Sequence, residues 1–220
     1  MISEVIFLEY LSCLLEGDKP KCSAIVAHLI ESKVNPQELY EKLFQRSLER
    51  VGKLWENNKI CGATEHMATS ITECLMSYTY PIVSAPKKIG KKVIVACVPK
   101  EFHQIGAKMV ADVFELYGWE AFSLGANTKE SELFKLIKEK QPDLLALSMS
   151  LYLNLIRLTE LIESVKKEFP DLEIIVGGQA FKENNPEFLG QYYNVKYIPT
   201  LKELEKFIKS KSKIENKSLA

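Results

Sequence analysis

The sequence predicts a two-part chain, a helical bundle followed by an α/β unit built on a parallel sheet. Three observations lead there. Apolar residues recur at helical spacing through the first 85 positions. A polar stretch, Ser84–Lys91, then interrupts the pattern with Pro86 and Gly90 and reads as a linker. Beyond it, short continuous apolar runs alternate with amphipathic stretches, the mark of parallel strands covered by helices on both faces.

The helices follow in order. Val5, Leu8, Leu11 and Leu15 recur in steps of three, three and four and predict a first helix. Gly17, Asp18 and Pro20 end it. Ser23–Ile30 is a short second helix. Asn35-Pro36 opens a third, because Asn caps and Pro fits the first turn. Leu39, Leu43, Phe44, Leu48, Val51 and Leu54 line its expected core face, and Asn57-Asn58 closes it. A fourth helix starts near Gly62 and runs to about Tyr80, before Pro81. Short turns between four helices predict a four-helix bundle over 1–85.

The second part, 91–210, begins with a strand at Val93–Val98 and a helix to Tyr117-Gly118. Trp119–Leu124, Leu144–Ser148, Leu172–Val176 and Tyr193–Ile198 are the next four strands. Helices over Lys129–Lys140, from Asn154 to Glu168, and from Leu201 complete the alternation. Five strands with helical crossovers describe a flavodoxin-like, Rossmann-like sheet. Residues 211–220 read as a polar tail that frays.

Composition narrows the function. The chain has 220 residues, 46% hydrophobic and 26% charged, which is ordinary for a globular protein. Lys+Arg and Asp+Glu number 29 each, so direct nucleic-acid binding is not expected. Residues 1–85 hold eight basic and eleven acidic side chains, net −3, leaving 21 and 18, net +3, in 86–220. No apolar run nears the roughly 20 residues of a membrane helix. The opening MISEVIFLEY carries Glu4 and Glu9 and no basic region, so a signal peptide is not expected and a cytoplasmic location is. Cys13, Cys22, Cys61, Cys74 and Cys97 are odd in number and contain no CxxC, which predicts buried, reduced thiols.

Ligands of a doubly wound sheet bind beyond the carboxyl ends of its strands. The loop Pro99–Gly106 puts Glu101 and His103 there. Imidazole suits borderline metals such as cobalt, and a nearby carboxylate can fix its tautomer. Taken alone, Glu101-x-His103-x-x-Gly106 equally describes an exposed loop histidine. The wider pattern is more specific. After Gly106 come 41 residues, then Ser148-Met-Ser150, then 26 residues, then Gly177-Gly178.

This pattern resembles the cobalamin-binding domain of methionine synthase, corrinoid methyltransferase proteins and B12-dependent mutases, whose usual motifs are DxHxxG, SxL and GG at similar separations. The resemblance implies that His103 is the lower axial ligand of cobalt and that Glu101, in place of Asp, holds its other nitrogen. It implies that Ser148 bonds near the buried nucleotide tail, and that Gly177 and Gly178 let the backbone approach that tail. Gly106 would keep the loop-to-helix turn open. Ser150 stands where the family has Leu. Asn154 extends the hydrogen-bond chain of Glu101.

The helical part bears on what such a cofactor would do. Trp55 is followed after nine residues by Glu65-His66. A Trp offers a flat apolar wall and a carboxylate can accept from ribose hydroxyls. The stretch resembles the W-x9-EH signature of CarH-type adenosylcobalamin photoreceptors, which also carry ExHxxG. That resemblance implies a helical cap over the upper face of the corrin and adenosylcobalamin as cofactor, with methylcobalamin the other option. It implies light-driven cleavage of the Co–C bond and a light-dependent homo-oligomer. Two departures stand out: no DNA-binding domain accompanies these motifs, so the output partner is another protein, and Glu56 stands where that family has a cobalt-ligating His. The alternative reading is a corrinoid protein that carries methyl groups between methyltransferases, itself not an enzyme. A third is a B12 carrier or storage module.

Overall fold

The computed structural model describes residues 1–182 and 186–218, with side chains as far as 211. The chain divides into two compact units, Met1–Ala85 and Pro86–Ala220.

The first unit is helical: α1 (Glu4–Glu16), α2 (Lys19–Glu31), α3 (Pro36–Leu39), α4 (Arg46–Glu56), α5 (Gly62–Met76) and the short α6 (Tyr80–Val83). Ser3 caps α1, and Gly17 ends it in the left-handed conformation at φ +75°. The expected stripe on α1 is corrected. Val5 and Leu8 are 73% and 54% exposed, and the buried face is Phe7, Tyr10, Leu11 and Leu14. Both stripes have helical spacing, but the buried one carries two aromatic rings and so removes more apolar surface from water. Helix α2 starts earlier than expected. Asp18 accepts from the Lys21 N–H at 3.1 Å, and Pro20 fits the first turn, so residues read as breakers open the helix instead. Pro81 likewise sits in the first turn of α6 rather than stopping a helix.

A π-helical turn, Tyr40–Gln45, joins α3 to α4 where a single α-helix is expected. It gathers Tyr40, Leu43 and Phe44 into the core, with Tyr10 and Phe44 ring centroids 6.0 Å apart. An extra residue in the turn rotates the downstream face. Ser47 and Val51 are therefore buried, while Leu48 and Leu54 are only partly so. Trp55 at the end of α4 is 49% exposed. Cys61 and Cys74 are exposed, contrary to the expectation of buried thiols, because they lie at the start and outer face of α5.

The second unit is a five-stranded parallel sheet in the order β2-β1-β3-β4-β5, the flavodoxin-like arrangement expected. Its strands are β1 (Lys92–Cys97), β2 (Glu120–Ser123), β3 (Leu144–Ser148), β4 (Glu173–Gly177) and β5 (Val195–Tyr197). Helices α7 (Ile105–Leu116), α8 (Glu130–Lys140), α9 (Leu155–Glu168) and α10 (Leu201–Ser218) alternate with them. Strands β1 and β3 are almost wholly buried, so apolar side chains face a helix layer on either side. The register pairs Cys97 with Ser148 and Ser148 with Gly177, which aligns the ends of β1, β3 and β4. Part of the expected linker docks on this unit: the Ile89 N–H donates to the Gly118 carbonyl at 2.8 Å. The stretch read as a fraying tail is helical through Ser218, and Leu219 and Ala220 lie outside the described residues.

Candidate functional site

The order of the sheet places a crevice between β1 and β3, where chain connections leave in opposite directions. The β1 loop turns sharply there. Lys100 takes the left-handed conformation at φ +66°, and the Glu101 N–H returns to the Val98 carbonyl at 3.0 Å. This turn drives Glu101 inward until it is 0% exposed.

Six donors converge on that carboxylate. Oε1 accepts from the backbone N–H of Phe102 at 3.0 Å and of His103 at 3.1 Å, and lies 2.5 Å from His103 Nδ1. Oε2 accepts from the backbone N–H of Ser150 and of Leu151, both at 3.0 Å, and from Asn154 Nδ2 at 3.2 Å. Burial pushes the Glu101 carboxyl up, but the hydrogen bonds from the side chain and backbone of His103 and from the Leu151 and Ser150 amides outweigh it, holding the group down at about 2. Glu101 is therefore an anion and can only accept. Nδ1 of His103 therefore donates to it, and in the neutral form of the ring the lone pair lies on Nε2. The His103 side chain is 49% exposed. A half-exposed imidazole fixed through Nδ1 by a carboxylate suits a metal ligand.

Beneath it, burial and then the Glu101 charge push the Cys97 thiol up to about 12, so it is a neutral neighbour that donates weakly to the His103 carbonyl at 3.7 Å.

The remaining expected residues separate into groups. Ser150 and Asn154 join Glu101 directly. Ser148, nearly buried, ends β3 beside them. Gly106 lies in the first turn of α7, and a Cβ there would meet no atom within 4 Å, so it faces open space. Gly177 and Gly178 have a reason internal to the fold. A Cβ on Gly177 would lie 3.0 Å from the Ile198 carbonyl oxygen, and one on Gly178 only 2.1 Å from that of Met149. Trp55, Glu65 and His66 belong to the helical unit. Gly62 approaches the Trp55 indole, its Cβ position lying 3.6 Å from Nε1. Glu65 accepts from Thr69 Oγ1 and pairs with the exposed His66, both at 2.9 Å.

The structure adds residues the motif does not mention. Gln104 Oε1 accepts from the Ala126 N–H at 3.2 Å, and Asn127 Oδ1 from the Lys100 N–H at 3.0 Å. These bonds stitch the β2 loop to the β1 loop. Gly125 and Asn127 in the left-handed conformation were the available signal, since such residues mark tight turns. Arg157 Nη1 donates to Asn154 Oδ1 at 2.9 Å. Phe102, Leu151, Tyr152 and Leu153 expose apolar side chains at this end of the sheet.

The arrangement fits a corrinoid on two counts. A buried carboxylate fixes the ring of a half-exposed histidine through Nδ1, and Gly106 leaves the neighbouring helix start uncrowded. Among the described residues no helix is long and apolar enough to cross a membrane.

Comparison with known proteins agrees. A family model described as a B12 binding domain matches residues 91–200, and a second of the same description matches residues 6–79. Trimethylamine corrinoid protein 2 of Methanosarcina mazei is 22% identical over 194 residues, spanning 85% of this chain and 88% of that protein. Dimethylamine corrinoid protein 3 of Methanosarcina acetivorans is 25% identical over 154 residues, or 67% and 70% of the two chains. The monomethylamine corrinoid protein of Methanosarcina barkeri shares the fold with a TM-score of 0.80 at 14% identity, covering 94% of this chain and 98% of that one. The methanol:cobalamin methyltransferase complex MtaBC from the same organism aligns with a TM-score of 0.50 at 15% identity, over 95% and 80%.

These relatives correct the light-sensor expectation, and with it the light-dependent oligomer. Proteins similar along most of this chain are methylamine corrinoid proteins rather than photoreceptors. The W-x9-EH spacing spans only one turn between two helices, and helix packing alone can satisfy it.

Proposed function

Because the chain belongs to the B12 binding domain family, we propose that it is a corrinoid protein carrying methyl groups between methyltransferases, a carrier rather than an enzyme in its own right. The observation that carries the reading is the buried Glu101 anion 2.5 Å from Nδ1 of the half-exposed His103. The relatives named as trimethylamine and dimethylamine corrinoid proteins support the methyl-carrying part.

Bound cobalamin would supply a cobalt centre able to accept and release a methyl group, so methyl replaces adenosyl as the proposed upper ligand. His103 would hold the cobalt through Nε2. Glu101 would keep the proton on Nδ1 and raise the basicity of Nε2. Ser150 and Asn154 would hold Glu101 in place. The apolar side chains of Phe102, Leu151 and Tyr152 would keep water from the lower face of the ring. The partners proposed are methyltransferases, one delivering and one removing the methyl group.

The test is reconstitution with cobalamin, followed by paramagnetic resonance of the Co(II) form. Wild-type protein made with isotopically labelled histidine is expected to show splitting from one labelled nitrogen, and His103→Ala to lose it with about 10–100-fold weaker retention. Splitting from labelled histidine retained in the variant would remove His103 from the role. Reduced to Co(I), the loaded protein is expected to gain methyl from trimethylamine, dimethylamine or methanol only when a matching methyltransferase is added. Cobalamin retained with no methyl uptake from any of these pairs would leave a storage module.

A second prediction separates ligand from fold. Gly106→Ala adds a methyl to open helical space, so the cobalamin-free protein should gain about 0.5 kcal/mol. Cobalamin affinity should fall at the same time, as read by equilibrium dialysis. Affinity that stays level would mean that the ligand does not use this opening.

A further inference from the structure

We propose that Arg157 is a positioning residue for His103, acting through Asn154 and Glu101. The inference rests on the reading of His103 as the cobalt ligand. Asn154 is completely buried between two groups of opposite hydrogen-bonding character. Its Nδ2 donates to Glu101 Oε2 at 3.2 Å, and its Oδ1 accepts from Arg157 Nη1 at 2.9 Å. A guanidinium can only donate and a carboxylate can only accept. An amide placed between them has a single orientation, since rotation would set N–H against N–H and oxygen against oxygen.

Helix geometry makes the arrangement possible. Asn154 ends the 3₁₀ turn before α9, and Arg157 follows three residues later on the same face. The same Asn154 fixes the path of the loop whose Ser150 and Leu151 amides also hold Oε2. With Oε2 pinned on this side, Oε1 stays directed at Nδ1 of His103. The chain His103–Glu101–Asn154–Arg157 thus links the ligating ring to a partly buried cation at the start of α9. The sequence reading reaches Asn154 but not Arg157, because nothing in the motif spacing marks it.

The experiment compares wild type, Arg157→Leu, Arg157→Lys, Asn154→Leu and the Arg157→Leu/Asn154→Leu double variant, each loaded with cobalamin. The readouts, on protein made with isotopically labelled histidine, are the fraction of Co(II) showing splitting from histidine nitrogen and the rate of cobalamin loss on dialysis. Arg157→Leu should lower the histidine-ligated fraction and release cobalamin about threefold to tenfold faster, less than the change expected for a group touching the ligand. Arg157→Lys, which keeps a donor, should restore most of it. On the Asn154→Leu background the Arg157 change should add nothing, as for two members of one chain. An unchanged Arg157→Leu spectrum and release rate would overturn the proposal. So would full additivity in the double variant, which would mean that Arg157 touches the ligand directly. If wild-type protein binds cobalamin without splitting from histidine nitrogen, the reading of His103 falls first and this inference falls with it.

Discussion

Glu101→Ala is expected to destabilise the sheet unit by about 3–5 kcal/mol and to abolish His ligation together with it. Every partner of this carboxylate is a donor: the amides of Phe102, His103, Ser150 and Leu151, the ring of His103, and Asn154 Nδ2. Truncation leaves buried N–H groups with no acceptor, the costly side of the hydrogen-bond balance. For the same reason Glu101→Gln, close in shape, should be nearly as damaging. Its NH₂ would have to face donors on one side. The measurement is urea unfolding at pH 7, followed by the buried Trp119 in a Trp55→Phe background so that only the sheet unit reports.

The wild-type pH profile provides a second measure of the same group. Glu101 sits at about 2 in the folded chain against an ordinary value of 4.5. A carboxyl lowered on folding stabilises fully above its unfolded value and loses that contribution as the pH falls through the folded one. The sheet unit should therefore lose roughly 3 kcal/mol between about pH 4.5 and pH 2 from this group alone. Glu101→Ala should show a flatter acid limb. An acid limb identical to that of wild type would mean that the network does not hold Glu101 ionised.

Gly178→Ala is expected to cost at least about 4 kcal/mol, lowering the Tm of the sheet unit by roughly 15 °C. A Cβ at this position would lie 2.1 Å from the Met149 carbonyl oxygen and 2.9 Å from the Met149 nitrogen, backbone atoms that cannot swing aside. The residue also stands at φ +119°, where an L side chain is strained whatever the space. The β3 loop approaches so closely because the Met149 N–H donates to the Gly177 carbonyl at 3.0 Å and the Ala180 N–H returns to the Met149 carbonyl at 3.3 Å. Gly190→Ala is the control in the same unit, since a Cβ there meets nothing within 4 Å. Equal melting of the two variants would refute the crowding argument. The prediction holds without any ligand, so the second half of the Gly-Gly motif is required by the fold before a cofactor uses it.

Much of the site is legible in the sequence. Strand alternation placed Glu101, Ser148 and Gly177 at strand ends, and parallel sheets collect their strand ends along one edge. The Glu-x-His step was readable as an orienting pair because two residues suffice for a side chain to reach the next ring. The helical unit was less legible. On α1 two stripes have the same period, and only packing against Phe44 selects the one with Tyr10. On α4 a π turn moved the buried face by a residue, and periodicity counted on an α-helix cannot register that. The Trp55 and Glu65-His66 signature misled for a related reason. Residues joined by one short turn lie near each other in many bundles, so their spacing says little about which group sits on cobalt.

By itself, the sequence determined the two-part layout and the parallel sheet, and its motifs pointed to the class of cofactor through their resemblance to a known family. The first two depend on local periodicity alone. Only the tertiary structure decided that six donors meet on Glu101, that the Met149 carbonyl occupies the space of a Gly178 side chain, and that Arg157 closes the chain behind Asn154. The bonds from Ser150 and Leu151 to Glu101 join loops about 50 residues apart, and the Met149–Gly178 contact joins the ends of two neighbouring strands. The geometry of these long-range contacts follows from which strands lie side by side and in what register, and no single stretch of sequence encodes that.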